Sequence, residues 1–261
     1  MKTLIISGGS SGIGAATADL FSQKGYKVYD LSRSGQNRNS ISHIACDVTV
    51  AESCKAAVEL VIKEQGRIDV VICNAGFGIS GPVEFTDTAS VKRQMDVNFF
   101  GALNLAQAVL PHMREAHSGR IFFTTSVAAL LPIPYQSFYS ASKAAVNAMA
   151  QSLQNEVRPF GIQVSCLLPG DVSTGFTSAR NKCEAGNSVY THAKQSVEVM
   201  EKDELGGMKP KEMAQIYWHM AECKRPKMYY IGGSKYKVFC MLQKFLPTSL
   251  VNWIEGQVYY A

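Results

Sequence analysis

Leu4-Ile5-Ile6 runs straight into Ser7-Gly8-Gly9-Ser10-Ser11-Gly12-Ile13-Gly14-Ala15, and no other stretch restricts the fold as much. The apolar triplet reads as a short buried strand. Glycines at 8, 12 and 14 let the chain turn tightly, and residues 15–24 then take helical spacing. A helix that begins behind such a turn aims unsatisfied N–H groups and the positive end of its dipole at whatever anion sits there. The backbone is bare enough for a pyrophosphate to approach. The spacing is neither the G-x-G-x-x-G of the common dinucleotide fingerprint nor that of a P-loop. A glycine-rich turn alone is equally a plain turn; its place between a first strand and a first helix favours a nucleotide.

Further along, extended runs at 27–31, 68–73, 120–126 and 162–168 alternate with helical patterns at 48–65, 91–113 and 140–157. That alternation predicts an α/β fold: a doubly wound parallel sheet with helices on both faces, a Rossmann-type three-layer sandwich forming a single domain over 1–261. Composition agrees, with 46% hydrophobic and 18% charged residues in 261. A domain of this size buries roughly three quarters of its unfolded surface and needs neither disulfide nor metal for stability. The net charge of +5 is spread without a basic block, so nothing asks for nucleic acid. Seven cysteines form no Cys-x-x-Cys pair, and five histidines form no His-x-x-x-His pair. No metal site is expected, and thiols in apolar surroundings suit a reducing compartment. The N-terminal apolar run is too short for a signal peptide, and no stretch is long enough to span a membrane. The expected location is cytoplasmic.

Two regions break the rhythm. Residues 171–209 follow Pro169-Gly170 without clean periodicity, and a segment that long points to a functional lid containing some helix. The extension 226–261 carries Val238, Met241, Leu242, Phe245 and Leu246 at helical spacing beside Lys235, Lys237 and Lys244. It reads as a terminal helix over the core or a substrate cavity, with a membrane-surface or partner helix as the alternative.

In Tyr139-Ser140-Ala141-Ser142-Lys143 a phenol and an ammonium share one helix face. A free tyrosine titrates near pH 10, and a cation ~4 Å away at an effective dielectric of ~20 contributes up to about 4 kcal/mol, or about three pH units. Lys143 is thus expected to make Tyr139 an acid and base near neutral pH. The competing reading is an ordinary surface pair.

Taken together, the glycine turn, Cys73-Asn74-Ala75-Gly76, Asn98, Ser126, Tyr139-x-x-x-Lys143 and Pro169-Gly170 occur in the order and at the intervals of the short-chain dehydrogenase/reductase family. The chain resembles its single-domain branch over about residues 3–175. The resemblance implies an oxidoreductase that interconverts a ketone and a secondary alcohol. Tyr139 would be the proton donor or acceptor, and Lys143 would lower its pKa and hold the nicotinamide ribose. Ser126 would bond the substrate oxygen. Asn98 would kink a helix and anchor a water in a relay through Lys143.

For the cofactor, an acid at the end of the second strand binds the ribose of NAD, whereas an Arg there accommodates the 2′-phosphate of NADP. Asp30 lies at about the right distance from the glycine turn, but the family register puts Ser32 in the acid slot and Arg33 just after it. Ser10 and Ser11 are possible further phosphate donors, so NADP(H) is favoured. The turn nevertheless lacks the Lys or Arg that many NADP-preferring members carry before the second glycine. The resemblance also implies Gly8, Gly12, Ile13 and Gly14 at the pyrophosphate and Asp47 with Val48 at the adenine. It implies Asn74, Ala75 and Gly76 along the nucleoside, and Pro169, Gly170, Val172 and Thr174 at the carboxamide.

Near the carbonyl it implies Phe77, the run 128–135 and Phe176, nearly all apolar. Six methionines between 200 and 241 suit either an adaptable pocket for a bulky hydrophobic substrate or a loosely packed core. No Arg or Lys is evident in the expected pocket to clamp an acyl-carrier arm; Arg180 and Lys182 in the lid are the alternative. The leading expectation is a hydroxysteroid or bile-acid type of dehydrogenase. The alternatives are a 3-oxoacyl-thioester reductase and a non-catalytic NADPH-binding sensor. The resemblance further implies a homodimer or homotetramer formed through helices 91–113 and 140–158.

Overall fold

A computed structural model describes residues 1–260. Ala261, the last residue of the expected domain and of its extension, lies outside the described residues. The elements are β1 (Thr3–Ser7), α1 (Gly12–Gln23), β2 (Lys27–Ser32), β3 (Ile41–Ala45), α2 (Ala51–Gln65), β4 (Val70–Cys73), β5 (Ile79–Ser80) and α3 (Thr88–Met95). After a π turn at Asp96–Phe100 come α4 (Gly101–Glu115), β6 (Gly119–Thr124), α5 (Ser137–Val157), β7 (Ile162–Leu168) and β8 (Asn181–Lys182). The chain ends with α6 (Ala193–Leu205), α7 (Pro210–Glu222), β9 (Tyr229–Ile231), α8 (Ser234–Leu242) and α9 (Thr248–Tyr260).

Seven strands form one parallel sheet in the order β3-β2-β1-β4-β6-β7-β9. Strand β1 lies inside it, with Ile5 opposite Tyr29 on one side and Val71 on the other. Successive side chains of a strand point to opposite faces. Ile5 therefore joins Val58, Leu105 and Val146 from α2, α4 and α5, while Leu4 and Ile6 join Phe21, Met213 and Tyr217 from α1 and α7. Both faces are dry, which is why these strands read as unbroken apolar runs. Each such Leu or Ile contributes about 1.5–3 kcal/mol by leaving water.

The doubly wound single domain stands as expected, with differences in detail. The helix expected over 91–113 is two helices joined by the π turn, at the Asn98 kink that the resemblance implies, and the Asn98 side chain bonds the backbone of Phe77 there (3.0 Å to its N and 3.0 Å to its O). The helix expected from residue 48 starts at Ala51, since Asp47 Oδ1 accepts from Thr49 N (2.9 Å) and Thr49 Oγ1 (2.8 Å) in a local turn. Strand β3, helix α7 and strand β9 carry no pattern that marked them beforehand. Residues 171–209 contain α6 and the two-residue β8, which pairs in parallel with β5.

Asp30 on β2 ties the glycine turn to the sheet. Its buried carboxylate accepts from Gly9 N at 2.7 Å and Ser32 Oγ at 3.0 Å, and His43 Nδ1 lies 3.4 Å away. Asp30→Ala leaves the Gly9 N–H without a partner in a dry site. The expected loss is about 1–3 kcal/mol, read as a lower urea midpoint at unchanged slope; an unchanged midpoint would show that the carboxylate does not hold the turn.

Candidate active site

The order of the sheet reverses between β1 and β4, and the crevice beyond the carboxyl ends of the strands at that point is where α/β folds bind ligands. Three strand ends are tied together there. Ser7 Oγ accepts from Asn74 N (3.0 Å) and Ala75 N (3.1 Å), while Asn74 Nδ2 donates to Ser7 O (3.2 Å) and Gly8 O (3.3 Å). Thr124 Oγ1 donates to Asn74 Oδ1 at 3.0 Å. Gly8 and Gly12 take φ of 67° and 54°, the left-handed region that favours glycine. A Cβ on Gly14 would stand 2.0 Å from Gly8 O, so only glycine lets α1 start so close to the turn. Ser10 and Ser11 are exposed beside this helix N-terminus. The bare turn in front of a helix start suits a pyrophosphate.

Arg38 adds a cation that no pattern predicted, because it stands in the aperiodic loop after β2. Its Nη2 donates to Gly9 O at 2.9 Å and lies 3.5 Å from Asp19.

Tyr139 and Lys143 stand one turn apart on α5. Lys143 Nζ donates to Thr124 O at 2.9 Å and lies 5.9 Å from the Tyr139 ring centre. Ser126, just past β6, caps a short 3-10 turn by accepting from Ala128 N at 3.1 Å, and its hydroxyl is near enough to the Tyr139 phenol to favour its ionisation. The strand-end bond expected of such a hydroxyl is present, and Ser126 also borders the cavity. Asn98 Nδ2 donates to Ser142 Oγ at 3.0 Å, and Ser142 Oγ donates to Tyr139 O at 2.7 Å, which locks α5 against the π turn. Asn98 Oδ1 and Lys143 Nζ converge over Gly76, where a Cβ would meet them at 3.0 and 3.3 Å.

Burial dominates the electrostatics. It pushes the Tyr139 phenol up to about 12, against a hydrogen bond from Ser126 that favours ionisation; Glu204 raises it further and Arg180 lowers it. Burial also brings the Lys143 ammonium down to about 8. The expectation that Lys143 acidifies Tyr139 is not met in this geometry, because Nζ turns to the Thr124 carbonyl and the cation acting on the phenol is Arg180. At neutral pH Tyr139 keeps its proton and has one to give.

A cavity of about 870 Å³ joins the glycine turn to Tyr139. Gly8, Ser11, Gly12, Ile13, Asn74, Ala75, Gly76, Ser126, Tyr139, Lys143, Pro169, Gly170, Val172 and Thr174 border it. A Cβ on Gly12 would touch Thr174 at 3.4 Å, so the segment after β7 closes over the turn. Ser10, Gly14, Ser32, Arg33, Asp47, Val48 and Asn98 stand off it. Ser32 Oγ is bonded to Asp30 and to Ser34 O at 3.0 Å each, and Arg33 is exposed past the end of β2. Val48 is buried, filling the space in front of Gly101, and Asp47 is engaged with Thr49 and held below the usual carboxylate range by those bonds.

Beyond Tyr139 the wall is apolar: Phe77, Leu131, Ile133 and Phe176, then Phe239, Leu242, Leu246, Ile254 and Val258 from the last two helices and the turn between them. Four carboxylates, Asp171, Asp203, Glu204 and Glu255, interrupt it. Burial pushes Glu255 up to about 7. Two open readings are separated here. No methionine lines the cavity among the described residues, and Met200, Met213 and Met220 are core. Neither Arg180 nor Lys182 borders it either. Arg180 is buried against Glu204 and Glu201, and Lys182 pairs with Glu201 at 2.8 Å.

Lys143 titrates near 8 folded and near 10.5 unfolded, so the folded state binds fewer protons between those values. Its penalty is complete below pH 8 and is relieved as pH rises to 10.5, worth about 3 kcal/mol. Urea midpoints of the wild type should climb across that window relative to those of Lys143→Met; parallel curves would mean that the ammonium is not desolvated.

Comparison with known proteins agrees with this geometry. The short chain dehydrogenase family matches residues 2–185. A 3-ketodihydrosphingosine reductase of Bacteroides thetaiotaomicron is 38% identical over 265 residues, covering 100% of this chain and 98% of the relative. Human 17-beta-hydroxysteroid dehydrogenase type 1 is 30% identical, covering 89% and 78%. The crystal structure of a short-chain dehydrogenase from Streptomyces avermitilis superposes with a TM-score of 0.86 at 26% identity, covering 98% and 96%. With Tyr139, Lys143 and Ser126 gathered at one end of a cavity and a glycine turn at the other, this chain belongs to the short-chain dehydrogenase family and is an oxidoreductase that acts on carbonyl or alcohol groups with a nicotinamide cofactor.

Proposed function

We propose that the chain is an NADP(H)-dependent reductase of a lipophilic ketone, and that its substrate is a long-chain amino ketone of the 3-ketodihydrosphingosine type. The observation that carries this reading is the make-up of the cavity beyond Tyr139. A largely apolar wall is interrupted by Asp203 and Glu255, and by Asp171 and Glu204, which pair with Lys235 (3.3 Å) and Arg180; Glu204 is close enough to act on the Tyr139 phenol. A ketone bearing a neighbouring ammonium meets both features. The relative that matches over its full length bears that substrate in its name.

In this reading Tyr139 gives its proton to the carbonyl oxygen while Ser126 bonds the same oxygen. A bound dinucleotide supplies the hydride. Lys143 holds the nicotinamide ribose, and with its pKa near 8 it is suited to pass a proton back to Tyr139. Asn98 acts through Ser142 and the Phe77 backbone to position α5. The glycine turn, Ser10 and Ser11 would hold the pyrophosphate, Asp47 and Val48 the adenine, and Pro169 to Thr174 the carboxamide.

The NADP preference rests on Arg33 following Ser32 in the acid slot and on Arg38 at the glycine turn. It is supported by Asp30 being committed to Gly9, Ser32 and His43. Residues 171–209 act as a lid, the extension 226–261 shapes the substrate end, and a homodimer or homotetramer in the cytoplasm is the working form. Among the described residues no helix is long and apolar enough to cross a membrane. A steroid substrate is the second reading, favoured by the likeness to the human steroid dehydrogenase.

Oxidation of NADPH and NADH followed at 340 nm over 3-ketodihydrosphingosine, its N-acetylated form, oxo-steroids, oxo-bile acids and acetoacetyl thioesters separates these readings. Saturable turnover of the free amino ketone with NADPH, weakened by N-acetylation, is expected. Turnover of steroids alone would move the assignment to the second reading, and tight NADPH binding with silence across the panel would leave a sensor. Arg33→Ser should raise the KM for NADPH far more than that for NADH; equal changes would defeat the phosphate assignment.

Tyr139→Phe should lower kcat by ~10²–10⁴-fold, the range a general acid supplies, with NADPH affinity nearly unchanged. A variant that keeps most of its turnover would show that the proton comes from elsewhere.

A further inference from the structure

The last two helices and the turn between them carry an apolar surface that the cavity does not absorb. Ten of the eighteen large hydrophobic residues exposed among the described residues fall within 238–258. Phe245 (80% exposed) and Trp253 (62%) are the most open aromatic side chains of the group, and neither borders the cavity. Monomeric proteins rarely leave so concentrated an apolar face to water without a use for it.

Charge says what covers it. From residue 224 to residue 254 the chain holds six Lys or Arg and no Asp or Glu, whereas the whole chain is nearly balanced at 26 against 21. Lys237 and Lys244 are exposed on the same elements as the aromatic residues. Apolar and aromatic residues beside lysines, with Glu255 at the cavity as the one acid from 224 to 260, match the boundary of an anionic bilayer, where the apolar face enters the acyl region and the ammonium groups meet phosphate. A second copy of this chain would bring the same cations against each other.

The face is also continuous with the cavity. Phe239, Leu242, Leu246, Ile254 and Val258 are exposed and at the same time line the space leading to Tyr139. We infer that α8, α9 and the turn between them form a docking surface for an anionic lipid bilayer, seated so that the mouth of the cavity faces the membrane. A lipophilic ketone then passes from the bilayer to the site without crossing water. That last step rests on the proposed substrate class, but the docking does not.

The test uses the full-length chain in a Trp218→Phe background, where Trp253 is the sole tryptophan. Vesicles of phosphatidylcholine alone, or with phosphatidylglycerol, are floated with the protein, and brominated acyl chains report the depth of the indole. Co-flotation with the anionic vesicles, a blue shift and quenching of Trp253, and weakening by salt are expected. Phe245→Glu and the pair Lys237→Glu, Lys244→Glu should each reduce binding at least tenfold, with NADPH binding unchanged as evidence of folding.

No flotation at low salt, or equal binding to neutral vesicles that the lysine changes leave intact, would overturn the inference. A blue-shifted Trp253 without lipid, together with a dimer that Trp253→Glu converts to monomer, would assign the face to a second copy and also overturn it. No substrate enters the assay, so a failed substrate assignment and a failed docking surface are told apart.

Discussion

The hydroxyl of Ser7 accepting two N–H groups at the end of β4 is the interaction on which the site depends. Parallel strands end in backbone groups that the sheet no longer pairs, and buried backbone groups left without partners are costly. Ser7, Asn74 and Thr124 settle that demand among themselves across β1, β4 and β6. What remains in front of them is a turn of glycines with no side chain to fill it. The same Thr124 offers its carbonyl to Lys143, so the support of the glycine turn and the placing of the Lys143 ammonium share one residue.

Desolvation then decides the chemistry. An ammonium and a phenol are both held in dry protein, and burial moves them toward their neutral forms, Lys143 down to about 8 and Tyr139 up to about 12. The phenol keeps its proton near neutral pH, while the ammonium loses its own more readily than a free lysine does. Simple Coulomb reasoning from helical spacing predicted the opposite shift for Tyr139. It treated the two side chains as a pair facing each other, whereas Lys143 had a better partner in a carbonyl that only the folded sheet supplies. Arg180, buried with Glu204, supplies the cationic influence instead.

What was legible in the sequence is what depends on local backbone rules. The glycine turn reads correctly because positive φ at Gly8 and Gly12 and the close approach at Gly14 leave few other residues possible. The central strands read correctly because burial on both faces leaves continuous apolar runs. The π turn at Asn98 was hidden from periodicity, since a helix that slips by one residue keeps nearly the same spacing; only the family resemblance put a kink at this residue. It betrays itself through the Phe77 backbone that receives the amide. Arg38 was equally hidden, because a loop residue acquires its role from where the loop folds back.

The substrate half was the least legible for the same reason taken further. Its wall comes from segments far apart in the chain: Phe77 after β4, Leu131 and Ile133 before α5, Phe176 after β7, and the C-terminal helices. Methionine content suited a pocket and a core equally; those methionines that are buried fill the core, and the cavity draws on Phe, Leu, Ile and Val together with four carboxylates. A cofactor that many relatives share can be held by backbone and glycine, whose geometry is written in short motifs. A substrate that separates one relative from another must be recognised by side chains that meet only in three dimensions. In this chain those side chains sit on the elements that also reach the surface, so the question of which ketone enters is tied to the question of where it enters from.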